Sequence, residues 1–410
     1  MAASHREPPL RRLTQGLASQ GLSSLSNFAL VVMVARTTSP EVFGAFAIAY
    51  SLSLLLTGVL RGVIGEALAV TLANRQVSRE STSPALGAAV VVGITGGLVF
   101  AIAGALWPHD LLGRWLLLFA VAVPLLVFQD AVRFVGFAAH RPSVAILSDG
   151  VWLGLQLLAW LALATFSELT GEGLLITWWL AAGTAGAVLL RAIGPPAIPS
   201  GIKWLAENRR LSLSFGAEYL LHSGTVQAAV YAVGFVAGLP AAGSLRAAES
   251  LFGPVRSAGA GLSAVALPQA IRRLSEQGIE VLRRFAYLVA SAGSGLAILA
   301  LVVLWTLPDD LGRSLLGETW PTASTVIPAV GIAMVGTMAT IGARLGLRAL
   351  HEVKASLRLR ALTGALTLLL GSGGAVVGGL AVAAWGLAIS HTLSALLGWW
   401  LFMHKSRGAS

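Results

Sequence analysis

The feature that most restricts this chain is a recurrence of apolar runs, each about twenty residues long, separated by short connections that carry most of its charge. A hydrocarbon core roughly 30 Å thick is crossed by about 20 helical residues with every backbone group bonded inside the segment. Twelve such runs are read at 14–34, 43–72, 84–106, 115–137, 144–166, 174–193, 213–237, 247–270, 285–307, 322–345, 361–380 and 382–403. Between the last two, GSGGAVVGGLAVAAWG has almost nothing polar to mark the corner. Only 11% of the residues are charged and 56% are hydrophobic, whereas a soluble domain is about a quarter charged. The chain reads as an all-α polytopic membrane protein.

The net charge of +10 follows from membrane topology. With both termini cytoplasmic, the inner segments and adjoining helix ends collect 22 of the 28 Lys and Arg. The outer segments hold Arg36, Arg114, Arg246 and Arg313, and Arg61 and Arg256 remain within the membrane. This is the positive-inside bias, and it leaves no case for nucleic-acid binding. Trp107, Trp115, Trp305 and Trp320 flank outer loops, while Trp204, Trp399 and Trp400 lie toward the inner surface, as interfacial anchors do. The opening MAASHREPPLRRL reads as a retained cytoplasmic start. Cysteine is absent, so disulfides and thiolate metal sites are excluded.

The second run carries Arg61 and Glu66 within its apolar stretch, and an ionisable group there costs about 2.5–3.5 kcal/mol on insertion scales. Later, Gly243, Ser250, Leu251, Gly261, Ala266 and Leu267 repeat the spacing of Gly44, Ser51, Leu52, Gly62, Ala67 and Leu68. In this second copy the charges are Glu249 and Arg256. A duplicated half with charge in corresponding helices is a sequence mark of secondary transporters. The expectation is two pseudo-symmetric six-helix lobes around a central cavity, residues 1–200 and 201–410, joined by a cytoplasmic linker over 194–210 whose prolines stop the sixth helix.

Polar residues inside the runs point to that cavity. Ser19, Ser23 and Ser26 recur on one face of the first run and are expected to line water, with close helix packing through small residues as the alternative. In the eighth run Glu249, Arg256 and Ser263 are spaced by seven, giving a polar stripe. In the seventh, Glu218, His222 and Thr225 share a face, and a carboxylate four residues before an imidazole suits proton exchange near neutral pH. Arg61 and Glu66 are five apart and point in different directions, with Gly58, Gly62 and Glu66 on one i, i+4 row. Arg61 and Arg256 are assigned to a shared lumen. Asp130, Arg133 and Asp149, where the fourth and fifth runs adjoin, are expected to tie helices together.

Other chemistries are excluded. There is no G-x-x-x-x-G-K-[ST] segment, and Gly371 to Gly374 lacks both a preceding strand and a following lysine, so it reads as helix packing. There is no H-E-x-x-H and no histidine cluster, so neither a catalytic metal nor a cofactor is expected. An embedded transferase or polymerase would need a substantial loop bearing its catalytic groups, and the longest outer segment, 308–321, is short. The chain is not expected to be an enzyme.

Two six-helix lobes, a polar first helix followed by SPEVFGAFAIAYSLSLL, and the passage QDAVRFVGFAAHRPSVAILSDGVW together resemble the polysaccharide-transport, or O-antigen flippase, branch of the multidrug/oligosaccharidyl-lipid/polysaccharide (MOP) exporter superfamily. The resemblance covers essentially the whole chain. It implies a flippase in a bacterial plasma membrane, moving a polyprenyl-diphosphate-linked oligosaccharide between leaflets by alternating access. On that reading Arg61 and Arg256 replace diphosphate hydration, and Gln20, Asn27 and Gln227 meet sugar hydroxyls. Glu66, Glu249, Glu218 and His222 are candidates for coupling to H+ or Na+. Membrane lipids and polysaccharide-assembly proteins are the implied partners. The alternative is a multidrug or small-solute cation antiporter of the same fold, although such antiporters carry cavity carboxylates where two arginines stand here.

Overall fold

The computed structural model describes residues 9–72, 78–107, 110–139 and 141–407. Among the described residues it is all helical, without strands. The chain runs through α1 (Pro9–Thr37), α2 (Pro40–Arg61), a π turn (Gly62–Glu66), α3 (Ala67–Leu72), α4 (Arg79–Leu106), α5 (Leu111–Ala138), α6 (Pro142–Phe166), α7 (Gly171–Ile193), α8 (Ile198–Glu207) and α9 (Arg209–Ala237). It continues through α10 (Leu239–Leu251), α11 (Gly253–Gln277), α12 (Ile279–Trp305), α13 (Asp309–Leu316), α14 (Trp320–Ala349), α15 (Val353–Leu366), a second π turn (Thr367–Ser372) and α16 (Gly373–Arg407). Local chemistry sets many of these starts. Ser78 and Ser81 cap α4 reciprocally, Thr170 accepts from Gly173 N at the head of α7, and prolines open α2, α6, α10 and α11.

Nine helical stretches among the described residues are long and apolar enough to cross a membrane, and a bent α9 makes ten. The difference from the twelve expected runs lies in two irregular regions. The stretch 354–407 holds 54 residues, which at 1.5 Å per residue is far longer than a bilayer is thick. It reverses at Gly378 and Gly379, where Gly379 takes φ +65°, a conformation only glycine enters freely. The corner therefore lies about two residues before the expected split at 381. The region of the eighth run is carried by two helices, α10 with Arg246 and Glu249 and α11 with Arg256, which break at Phe252 and form no candidate span among the described residues.

The helices sort into two compact units, residues 1–37 with 49–224, and residues 38–48 with 225–410. In the first, Trp152 and Trp178 pack with centroids 5.3 Å apart, and Tyr50 bridges Trp178 and Phe119 at 6.2 Å each. The linker expected over 194–210 is helix α8, seated on α4 through Gly201, where a Cβ would lie 2.4 Å from Ala88 N. In the second unit a core of α11, α12, α14, α15 and α16 gathers around Leu282, Phe285, Leu345, Leu359 and Phe402. There, the start of α2 meets α10 at two glycines. A Cβ on Gly44 would stand 2.0 Å from the Leu239 carbonyl oxygen, and one on Gly243 3.0 Å from the Gly44 Cα.

Candidate functional site

Each unit holds one buried polar cluster. In the first unit Asp130 of α5 lies between two guanidinium groups: Arg61 Nε donates to its Oδ2 at 2.6 Å and Arg133 Nη1 to its Oδ1 at 2.9 Å. Arg133 Nε faces Asp149 Oδ2 of α6 at 3.1 Å. Ser19 Oγ of α1 donates to the same Oδ2 at 2.5 Å, and Gln129 Nε2 donates to Asp149 Oδ1 at 3.1 Å and to Ser148 Oγ at 2.9 Å. Asp149 is fully buried and Arg133 is 5% exposed. Two arginines and two aspartates make the cluster neutral, and each buried carboxylate oxygen has a partner, which is the condition for keeping ions in a low-dielectric interior. Farther along α1, Ser26 Oγ donates to Gln156 Oε1 at 2.5 Å and accepts from Trp178 Nε1 at 3.2 Å.

This arrangement bears out Asp130, Arg133 and Asp149 as residues that tie helices, and corrects the reading of α1. Ser19, Ser23 and Ser26 are buried and do not line water. Ser19 and Ser26 serve as hydrogen-bond pegs, because a short hydroxyl allows close approach and still satisfies Asp149 and Gln156. The neighbouring stripe is more open: Gln20 is exposed and donates to Ser24 Oγ at 3.5 Å, and Asn27 is half-buried.

A π turn with i→i+5 bonding separates Arg61 from Glu66 and begins at Gly62, one turn after Gly58. Those two glycines pack on α9, at the Tyr219 ring and the Phe215 carbonyl, while Glu66 is exposed. Arg61, its side chain 40% exposed, borders a shallow recess together with Leu60, Ile64, Gly65, Val127, Asp130, Ala131 and Phe134.

In the second unit the expected Glu249–Arg256–Ser263 stripe is interrupted. Gly253 and Pro254 break the helix at Phe252, so Glu249 ends α10 and Arg256 begins α11. Glu249 is paired with Arg246, Nη1 to Oε2 at 3.4 Å, and both are buried. Arg246 is therefore part of the cluster, not the outer-segment residue the sequence suggested, because α10 starts eight residues before the expected run. Arg256 is exposed, lies within electrostatic reach of Glu249, Arg246 and His391, and makes no ion pair among the described residues. His391 Nδ1 contacts Thr337 Oγ1 at 3.2 Å. Thr337 donates its own proton to Ala333 O, so the imidazole is the donor and its Nε2 is left to accept. On α9, Gln227 Oε1 and Tyr231 Oη are buried with no hydrogen-bond partner among the described residues. Glu218 is exposed on α9, and the His222 side chain lies outside the described residues.

Sequence reasoning missed Arg246, Tyr231 and His391. A signal existed for two of them: Arg246 stands three residues before Glu249, and Tyr231 four after Gln227. Nothing in the chain links His391 to Arg256 before folding.

The fold is that of the MOP superfamily transporters. The chain is similar to a multidrug resistance MATE family transporter of that superfamily in its inward-facing conformation, with TM-score 0.73 and 14% identity over 94% of this chain and 95% of that one. It is also similar to a MOP superfamily transporter from Pyrococcus furiosus Vc1 (DSM3638), described as having a binding pocket of reverse polarity, with TM-score 0.64 and 12% identity over 98% and 97%. An outward-facing MATE transporter gives TM-score 0.60 and 12% identity over 98% and 96%. No protein-family model matches the sequence, and neither does any curated protein.

Proposed function

We propose that this protein carries an anionic substrate across the membrane by alternating access of its two lobes, residues 1–200 and 201–410, and that the substrate is a polyprenyl-diphosphate-linked oligosaccharide or a related polysaccharide precursor. The observation that carries this reading is the state of the buried charges. Asp130 and Asp149 are occupied by Arg61 and Arg133, and Glu249 by Arg246, whereas Arg256 is accessible and makes no ion pair among the described residues. Among the described residues an organic cation meets no unclaimed buried carboxylate; a diphosphate meets a guanidinium whose fork matches its oxygens. Arg61, at the edge of its recess, is a second ligand if it exchanges Asp130 for phosphate. Gln20, Asn27 and Gln227 serve sugar hydroxyls, and the unpartnered Gln227 Oε1 suits a hydroxyl donor. Glu66, Glu218, Glu249 and His222 remain the candidates for coupling to H+ or Na+.

The proposed setting is a bacterial plasma membrane with both termini cytoplasmic, with polysaccharide-assembly proteins as partners. A multidrug cation antiporter is the second reading, favoured by the MATE structures that share the fold.

The test is leaflet-specific labelling of the lipid-linked glycan at matched protein levels. Arg256→Ala is expected to abolish export in folded protein, and Arg256→Lys to keep part of it, because a point charge attracts phosphate without the bidentate geometry. Full export by Arg256→Ala, or uptake of an organic cation without any copurifying diphosphate lipid in mass spectra, would overturn the reading.

A further inference from the structure

We infer that Asp130 is an internal stand-in for the cargo's phosphate: it holds Arg61 while the carrier is empty and gives it up when an oxyanion enters the recess. The inference rests on the anionic-substrate reading above and names the residue that regulates one of its ligands. The cluster around Asp130 has two unequal halves. Arg133 and Asp149 are the closed half, with side chains 7% and 0% exposed. Arg133 pairs with both aspartates, Nη1 with Asp130 Oδ1 at 2.9 Å and Nε with Asp149 Oδ2 at 3.1 Å, and Asp149 is further held by Ser19 and Gln129. Arg61 is the open half. It is the last residue of α2 before the π turn, and it meets Asp130 through Nε alone, at 2.6 Å to Oδ2. Its two Nη groups, which carry most of the N–H donors of a guanidinium, take no hydrogen bond among the described residues.

Arg61 and Asp130 border the same recess, so an oxyanion arriving there meets the guanidinium and its present partner together. Two anions then compete for one cation. When Arg61 turns to the oxyanion, Asp130 is not abandoned as a bare charge, because Arg133 still donates to its other oxygen. When the oxyanion leaves, Asp130 takes the guanidinium back, and the empty carrier holds no uncompensated cation at this point in the membrane. A carrier that works by alternating access has to release its cargo and return without it, and Asp130 serves both steps. It lowers the apparent affinity by the fraction of time it occupies Arg61. The Arg133–Asp149 pair keeps α5 on α6 while the exchange takes place.

The experiment titrates the full chain, in nanodiscs of neutral phosphatidylcholine, with inorganic pyrophosphate by calorimetry. Asp130→Asn keeps the shape of the side chain and removes its charge, and it should tighten pyrophosphate binding about tenfold. Arg61→Gln should weaken binding, and adding Asp130→Asn to that background should change it less than about twofold, because the competitor has no guanidinium left to hold. An equal gain from Asp130→Asn in both backgrounds would mark a general field effect and overturn the inference. Unchanged binding in Asp130→Asn with Arg61 present overturns it too. Either result, with binding still lost in Arg256→Gln, leaves the proposed function standing. Pyrophosphate bound by neither wild type nor Asp130→Asn overturns the inference and the anionic-substrate reading together. Should Asp130→Asn not fold, Asp130→Ser, smaller and still able to accept from Arg133, repeats the test; failure of both to fold makes the Arg61–Asp130 pair a fixed tie and overturns the inference.

Discussion

At the scale of single residues, the first unit depends on ions that satisfy one another. Asp149 is fully buried and holds Arg133 and Gln129 of α5 and Ser19 of α1 together. Asp149→Ala leaves Arg133 beside one aspartate shared with Arg61, and breaking a buried pair from one side costs about 3–5 kcal/mol. The variant is expected to unfold at markedly lower temperature in detergent. Replacing both partners, as Arg133→Met with Asp149→Leu, should recover much of the loss, since a well-packed apolar pair often equals a buried ion pair. A double variant no more stable than Asp149→Ala would show that the hydroxyl and amide partners matter more than the pair. The chemistry of this cluster was legible from Asp130, Arg133 and Asp149, which stand at adjoining helix ends. The serine row on α1 was not, because small polar residues serve a wet wall and a dry seam equally well and only the facing helix decides.

At the scale of elements, hydropathy located the helices and missed their irregularities. The runs were legible because apolar length is a one-dimensional property. The π turn at Gly62–Glu66 was not, since no residue type demands one. The break at Phe252 had a signal in Gly253 and Pro254, but the periodic spacing of Glu249, Arg256 and Ser263 masked it. Close helix crossings give a sharper test. A Cβ on Gly44 would stand 2.0 Å from a backbone oxygen of α10, and backbone does not yield as a side-chain tip does. Gly44→Val should therefore separate α2 from α10 and cost at least as much as ordinary overpacking, about 1–3 kcal/mol. Folded protein by size-exclusion fluorescence should fall well below that of Gly224→Val, where the nearest atom is the flexible end of Leu220 at 3.7 Å.

At the scale of the whole molecule, the absence of cysteine makes topology directly testable. Single cysteines introduced at Ser167, between α6 and α7, and at Gly278, between α11 and α12, should be labelled from opposite sides of intact cells by a membrane-impermeant maleimide. Ser167 should react from outside and Gly278 only after permeabilisation; the reverse pattern would invert the proposed orientation. The reversal at Gly378 and Gly379 bears on how such a chain enters its membrane at all. Between residues 361 and 403 there is no Asp, Glu, Lys or Arg, and the basic residues sit at the two open ends, Lys354, Arg358 and Arg360 on one arm and Lys405 and Arg407 on the other. During synthesis neither arm has a hydrophilic loop to deliver to the far side. The last two spans are thus suited to leave the translocon together as a preformed helical hairpin, its glycine tip sinking through the lipid with no ion to ferry and its cationic feet left behind as the anchor.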